Sequence, residues 1–220
     1  MSTFHYDPPR EPFLDILFED EHIMVVNKPS GILSVPGKAV EHFDSIASRV
    51  KSLYPQGGAV HRLDMGTSGV LVVAKTAQAT SALGRQFQDR KTEKYYYAWV
   101  WGQMEKLEGT VDLPLCVDWE NRPRQQVNFE HGRRAITHYI CQRVEADRSL
   151  VKLKPITGRS HQLRVHMMEL GHPILGDHLY APPEAQAAAP HLYLHAAMLR
   201  FNHPMTGQRL TFEAPAPFPL

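Results

Sequence analysis

Between positions 61 and 69 the chain reads His-Arg-Leu-Asp-Met-Gly-Thr-Ser-Gly, and it then runs straight into Val70-Leu71-Val72-Val73-Ala74. Asp64 is the only carboxylate between Asp44 and Asp89. It follows His61 and Arg62 and precedes two glycines, which let other groups approach closely. A neighbouring guanidinium holds an Asp in its ionised form, which suits nucleophilic or base chemistry and not acid catalysis. No second carboxylate stands ready to pair with it, which argues against a two-carboxylate glycosidase. A second cluster, Thr157-Gly158-Arg159-Ser160-His161-Gln162-Leu163-Arg164-Val165-His166, gathers two arginines, two histidines and a glutamine. Arg159 is expected at a helix start, where free N–H groups and the dipole favour an anion. His161 and Arg164, three residues apart, are expected on one helix face, with Leu163 and Met167 turned to the core. On these residues alone the cluster could equally cap its helix and pair with nearby carboxylates. Tyr95-Tyr96-Tyr97 adds an aromatic face on which a planar base could stack. One anionic nucleophile, arginines and an aromatic platform together suggest nucleobase chemistry that needs no cofactor.

Other chemistries lack their residues. Gly66-Thr67-Ser68-Gly69 is not Gly-x-Ser-x-Gly, so Ser68 is not spelled as a hydrolase nucleophile. No Walker A pattern and no Gly-x-Gly-x-x-Gly following a strand offers a cradle for a nucleotide cofactor. His161 and His166, five residues apart on a helix, would point about 140° from each other and could not share a metal. His191 and His195 have helical ligand spacing but fall where a strand is expected, so no metal is expected. Cys116 and Cys141 have no metal-type spacing and read as reduced thiols. The first residues lack a secretory pattern, and no apolar run approaches the roughly 18 residues needed to span a bilayer. These features lead us to expect a cytoplasmic protein without a membrane partner.

With 220 residues, 43% hydrophobic and 21% charged, the chain can build a substantial core. Its net charge is only +1. Residues 1–50 hold four basic against eight acidic residues, whereas 118–170 hold ten against six, so positive charge concentrates in the second region. His22–Asn27 predicts a strand stopped by Lys28-Pro29-Ser30-Gly31. Asp44 is the expected cap of a helix carrying Ile46, Val50 and Leu53, and Thr76 that of a helix carrying Ala79, Leu83 and Phe87. Strands are expected at 70–74, 95–101, 127–129, 136–144 and 150–155. A helix after Thr157-Gly158 would bury Leu163, Met167 and Leu170 and stop at Gly171. A Pro/Ala-rich loop over 181–190 with one helical turn leads to a strand pair near 192–201 and 210–212. The mixture lacks regular βαβ alternation, which predicts an α+β fold with a mixed, largely antiparallel central sheet flanked by helices and loops.

The motifs also carry a family resemblance. His61-Arg62-Leu63-Asp64-Met65-Gly66-Thr67-Ser68-Gly69 resembles the signature of the RluA-type pseudouridine synthases, His-Arg-Leu-Asp-x-x-Thr-Ser-Gly. Asn27-Lys28-Pro29-Ser30-Gly31, Lys94-x-Tyr96-x-Ala98-x-Val100-x-Gly102 and Thr157–His166 are similar to further family motifs in the same order. So are His172–Asp177 and the block from Leu194-His195-Ala196 to His203-Pro204. The resemblance implies that Asp64 is the catalytic aspartate, that Arg164 pairs with it and that Tyr96 contacts the target uracil. It implies that Arg62 fills the gap left by a flipped nucleotide, and it places His61 and Arg159 among the substrate-binding groups. The implied reaction detaches uracil at N1, rotates it and rejoins it through C5, with no cofactor. The implied partners are RNAs, namely large-subunit (23S) rRNA and tRNA anticodon stem-loops; the sequence carries no oligomerisation signal, so a monomer is expected. The implied organisation is a single catalytic domain over 1–220, without the N-terminal S4 domain of many relatives. A non-catalytic RNA-binding module, which would need the arginines but not Asp64, is the alternative.

Overall fold

The computed structural model describes residues 6–220. Up to Glu93 the elements are β1 (Ile16–Glu19), β2 (Ile23–Lys28), α1 (Ile46–Leu53), β3 (Gly58–Ala59), β4 (Ser68–Ala74) and α2 (Ala77–Gln88). Then come β5 (Glu93–Trp101), β6 (Glu108–Asp112), β7 (Leu115–Val117), β8 (Gln125–Val127), β9 (Ile136–Val144) and β10 (Arg148–Pro155). The chain closes with α3 (Gln162–Glu169), α4 (Pro183–Ala187), β11 (Leu194–Asn202) and β12 (Arg209–Glu213). These elements form two compact units, one of residues up to Glu93 with Ala196–Pro217, the other of Lys94–His195 with Phe218–Leu220. Antiparallel ladders flanked by helices make the fold α+β.

In the first unit the strand order is β1-β2-β4-β11, with β12 antiparallel to β11 and β3 to β4. All seven residues of β4 are buried, as a continuous apolar run covered on both faces should be. Alternation sends Val70, Val72 and Ala74 to one face, where they meet Ala79 and Leu83 of α2. Ile23, Val25, Leu199 and Phe201 complete that core. Thr76 caps α2 as expected, accepting the Ala79 N–H at 3.2 Å. The cap of α1 is Ser45 and not Asp44. Ser45 and Ser48 form a reciprocal capping box, while Asp44 is engaged by the Arg49 side chain through Nε at 2.8 Å and Nη2 at 2.7 Å. His203 ties the turn after β11 to the β1–β2 turn, its Nε2 lying 2.9 Å from Asp20 Oδ2.

The second unit is an antiparallel sheet in the order β5-β10-β9-β6, with the hairpin β7–β8 beside it. The expected strand at 127–129 lies earlier, as β8, and Phe129 is an exposed turn residue. Trp99 is the largest fully buried side chain, and its Nε1 donates to the Pro219 carbonyl at 2.7 Å. The C-terminal residues are thereby drawn into this unit, with Phe218 stacked on Tyr193. Among the described residues no helix is long and apolar enough to cross a membrane.

Gly69, at the entry to β4, has φ +112°, and a Cβ placed there would lie 2.2 Å from the Ala196 carbonyl oxygen. Its bare Cα therefore admits the protein's own neighbouring strand β11. Gly69→Ala is expected to destabilise the protein by roughly 2–4 kcal/mol, through the backbone strain and the clash together. Urea unfolding of the variant against the parent chain measures this.

Candidate active site

The Asp64 loop is held from below by the turn that follows β2. Lys28 is fully buried, and its Nζ donates to the carbonyls of Pro29 at 3.0 Å, Ile32 at 2.7 Å and Met65 at 3.0 Å. Ser30 Oγ donates to the Gly66 carbonyl at 2.8 Å, and the Gly31 N–H to the Met65 carbonyl at 2.9 Å. Ser34, also buried, donates to the Leu63 carbonyl at 2.7 Å and accepts the Leu63 N–H at 2.9 Å. The loop closes on itself where the Thr67 N–H meets the Asp64 carbonyl at 3.0 Å. Asp64 is thus the one carboxylate of a segment whose backbone is fixed on both sides of it. Burial pushes the Lys28 ammonium down to about 7 from an ordinary value of 10.5, and the Asp64 charge works against that shift. The sequence offered no way to see this role, because a lysine ending a strand usually reaches water.

The two residues before Leu63 divide the work. His61 Nε2 accepts the Val72 N–H at 3.1 Å, and its ring stacks on Phe87 with centroids 4.3 Å apart. Its ring thus braces the loop against β4 and α2. Arg62 is exposed and makes no hydrogen bond or ion pair with another described residue, leaving its guanidinium directed at solvent or a ligand.

In the second unit, the Arg-containing segment differs from the expected amphipathic helix. α3 begins at Gln162, with His161 as its cap in the left-handed region at φ 54°, so Arg159 stands before the helix and not on its first turn. Six of its eight residues, Gln162–Met167, are buried, polar and apolar alike. Such burial is possible because each polar group is paired. Gln162 accepts from the Thr157 hydroxyl at 2.7 Å and the Arg159 N–H at 3.1 Å, and donates to the Ile136 carbonyl at 2.9 Å and Thr137 Oγ1 at 3.0 Å. His166 Nε2 lies 3.1 Å from the Leu113 carbonyl and Nδ1 2.9 Å from Thr137 Oγ1. A carbonyl can only accept, so Nε2 carries the proton and the Thr137 hydroxyl donates to Nδ1. Burial lowers the pKa of His166, in keeping with a neutral ring.

Arg164 is gripped by Asp177, through Nε to Oδ2 and Nη2 to Oδ1, each at 2.7 Å. Asp177 is fully buried and also accepts the N–H groups of Leu179 and Tyr180. The Tyr180 ring lies 5.0 Å from the Arg164 guanidinium carbon, and its hydroxyl meets His161 Nδ1 at 2.6 Å and the Gln125 N–H at 2.8 Å. One tyrosine therefore links the helix cap, the arginine and the β7–β8 hairpin. Arg159 Nε donates to the Arg134 carbonyl at 3.2 Å. Tyr96 lies buried in β5 opposite Leu153 of β10. The three tyrosines do not share a platform, since strand alternation turns Tyr95 and Tyr97 to the other face. There Lys152 and Lys154 lie 4.4 and 5.5 Å from the Tyr95 ring. Thr157, Gln162 and Asp177 stand in motifs legible in the sequence, but their roles, like Tyr180 itself, are not legible there, because their work is done by partners distant in the chain.

Comparison with known proteins identifies the family. A family model described as RNA pseudouridylate synthase matches residues 22–169, a span that contains Lys28, Asp64, Tyr96 and Arg164. The chain is 58% identical over 219 residues to the dual-specificity RNA pseudouridine synthase RluA of Escherichia coli strain K12, covering 99% of this chain and 100% of that one. It is 55% identical to the protein of the same name from Vibrio cholerae, covering 99% and 89%. Among solved structures, human RNA pseudouridylate synthase domain containing 1 superposes with a TM-score of 0.78 at 28% identity, covering 96% of this chain and 87% of that one.

Two outcomes test the supports. Unfolded Lys28 keeps its proton up to about 10.5, whereas the folded chain releases it near 7. Between those values the unfolded state binds the additional proton, so raising the pH favours the folded chain. The unfolding free energy of the parent relative to Lys28→Met should therefore rise from pH 7 to pH 10, measured by urea titration across that range. Asp177→Asn removes the carboxylate charge that grips a buried guanidinium and is expected to destabilise by about 3 kcal/mol, which the same titration at pH 7 reads.

Proposed function

The chain belongs to the RNA pseudouridylate synthase family, and from that premise we propose that it converts uridines in both 23S rRNA and tRNA anticodon stem-loops, in the cytoplasm, with Asp64 as the reacting carboxylate. The reaction breaks the bond between ribose C1′ and N1 and forms one from C1′ to C5. The C5 proton leaves and N1 gains one, so the isomerisation is balanced without an oxidant or an energy source. The observation that carries this reading is the Asp64 loop, a single acid on a backbone fixed by Lys28, Ser30 and Ser34. Near-complete coverage of relatives named for dual specificity supports the pair of RNAs.

The other residues take roles that suit their surroundings. Arg62, exposed and unengaged, fills the stack that the flipped nucleotide vacates. Flipping costs a few kcal/mol, least for an unpaired loop base. Tyr96 contacts the uracil from the rigid frame of β5. Arg164 supplies positive charge at a position fixed by Asp177. Arg159 meets the RNA backbone, and His61 serves substrate binding by keeping the Asp64 loop in place. A net charge of only +1 fits recognition of a small folded loop better than coating of a long duplex.

Asp64→Asn preserves shape and removes the nucleophilic charge. It should lower pseudouridine formation by at least about a thousandfold, as expected for loss of a reacting group, while RNA affinity in a gel-shift assay stays within a few-fold. Tritium release from RNA labelled at uridine C5 reports turnover separately on an rRNA stem-loop and a tRNA anticodon stem-loop. Near-parental release by Asp64→Asn would refute the assignment, and release from only one of the two RNAs would refute the dual specificity.

A further inference from the structure

Among the lysines of this chain, Lys94 is placed unlike the rest. Lys28 meets three carbonyls, and Lys75 pairs with Glu19 at 2.7 Å and meets the Asp20 carbonyl. Lys152 and Lys154 lie against Tyr95. Lys94 has only intermediate exposure, and its ammonium has no hydrogen-bond or ion-pair partner among the described residues. Desolvation lowers its pKa, and no acid opposes the shift. It stands in β5 two residues before Tyr96, so the two side chains leave the strand on one face, roughly 7 Å apart along it. Its tip lies beside Gly158, where an added Cβ would be 3.5 Å from Nζ. Gly158 is itself exposed, so the ammonium lies beside an exposed part of the turn that carries Arg159 and leads into α3.

A crowded cation without a partner is unfavourable in the free protein. Such a group is retained where an anionic ligand completes it. Ammonium is a compact point charge well suited to a phosphate oxygen, and the bases of RNA are neutral. On the reading of this chain as an RNA pseudouridine synthase, we propose that Lys94 binds a backbone phosphate of the RNA next to the uridine that Tyr96 contacts. It thereby positions the substrate strand and does not enter the chemistry. The phosphate and the uracil would then be held by neighbouring side chains of one strand face, which fixes the nucleotide at two points.

The test uses the full chain with Lys94→Met and Lys94→Arg, and stem-loop RNAs carrying one neutral methylphosphonate at a time around the target uridine. Without RNA, Lys94→Met should unfold at the same or a higher temperature, because the methionine removes an unpartnered charge. With RNA, KM should rise about tenfold with kcat retained, and the slope of log affinity against log salt should shrink by about one. Lys94→Arg should recover most of the loss. One methylphosphonate should weaken binding to the parent and leave Lys94→Met unaffected. A lowered unfolding temperature with activity tracking the folded fraction would make Lys94 structural and overturn the inference. So would a fall in kcat at constant KM, or methylphosphonate effects equal in both proteins. Failure of the functional reading is separate, because then the parent chain would form no pseudouridine in any of these RNAs.

Discussion

The Lys28 ammonium, buried and bonded to three carbonyls from two separate turns, is the interaction on which the Asp64 loop depends. A loop on a protein surface usually gains its flexibility from unsatisfied backbone groups that water can serve equally well. Here the carbonyls of Leu63, Met65 and Gly66 are each taken by a side chain of the 28–34 turn. The backbone of the loop therefore has one arrangement, and Asp64 projects from it as from a rigid element. A charge from lysine serves better than a hydroxyl at the centre, since one ammonium has three donors and can bind three acceptors at once. Its burial carries a free-energy cost, visible in the lowered pKa, and the nearby Asp64 charge offsets part of it.

The second unit reaches the same rigidity by a different route. Its cationic group, Arg164, is a planar fork held by a carboxylate that is itself anchored to two backbone N–H groups. Around it, Thr157, Gln162, Thr137 and His166 form a chain in which each donor meets an acceptor. Such networks stabilise only when complete, and this one fixes the turn from which α3 springs. The left-handed backbone at His161 is tolerated because its ring is held by the Tyr180 hydroxyl. Local strain is thus maintained by tertiary contacts.

What could be read in the sequence and what could not follows from the range of the forces involved. The caps and periodicities of α2 and the alternation of β9 are local, and Thr76, Ala79 and Leu83 stand where the pattern puts them. The cap of α1 was misplaced by one residue, because Asp44 and Ser45 are both good caps. The Arg49 side chain, which takes up the Asp44 carboxylate, and the reciprocal bonds of Ser45 with Ser48 decide between them. α3 buries Leu163 and Met167 as the helical pattern expects, but it buries its polar residues as well. An amphipathic reading assumes that Gln162, Arg164 and His166 want water, and each instead has a protein partner supplied by Ile136, Thr137 or Asp177. Tyr95-Tyr96-Tyr97 looked like one aromatic surface until strand geometry separated the middle ring from its neighbours.

Asp64 is legible in the sequence because no other carboxylate lies between Asp44 and Asp89. That isolation has a physical consequence beyond recognition. An isomerisation that breaks one glycosidic bond and makes another leaves the substrate with the same charge at the end as at the beginning. The protein need not supply or remove electrons, only keep the detached base from water and in position to rejoin. Such a task rewards groups that do not move when charge appears, because reorganisation during the reaction would forfeit the stabilisation they provide. The backbone under Asp64 and the guanidinium of Arg164 are both held at more than one point. Stability is given up at Lys28, at His161 and at Lys94, and in each case the group is one that holds, or stands beside, a part that must stay still.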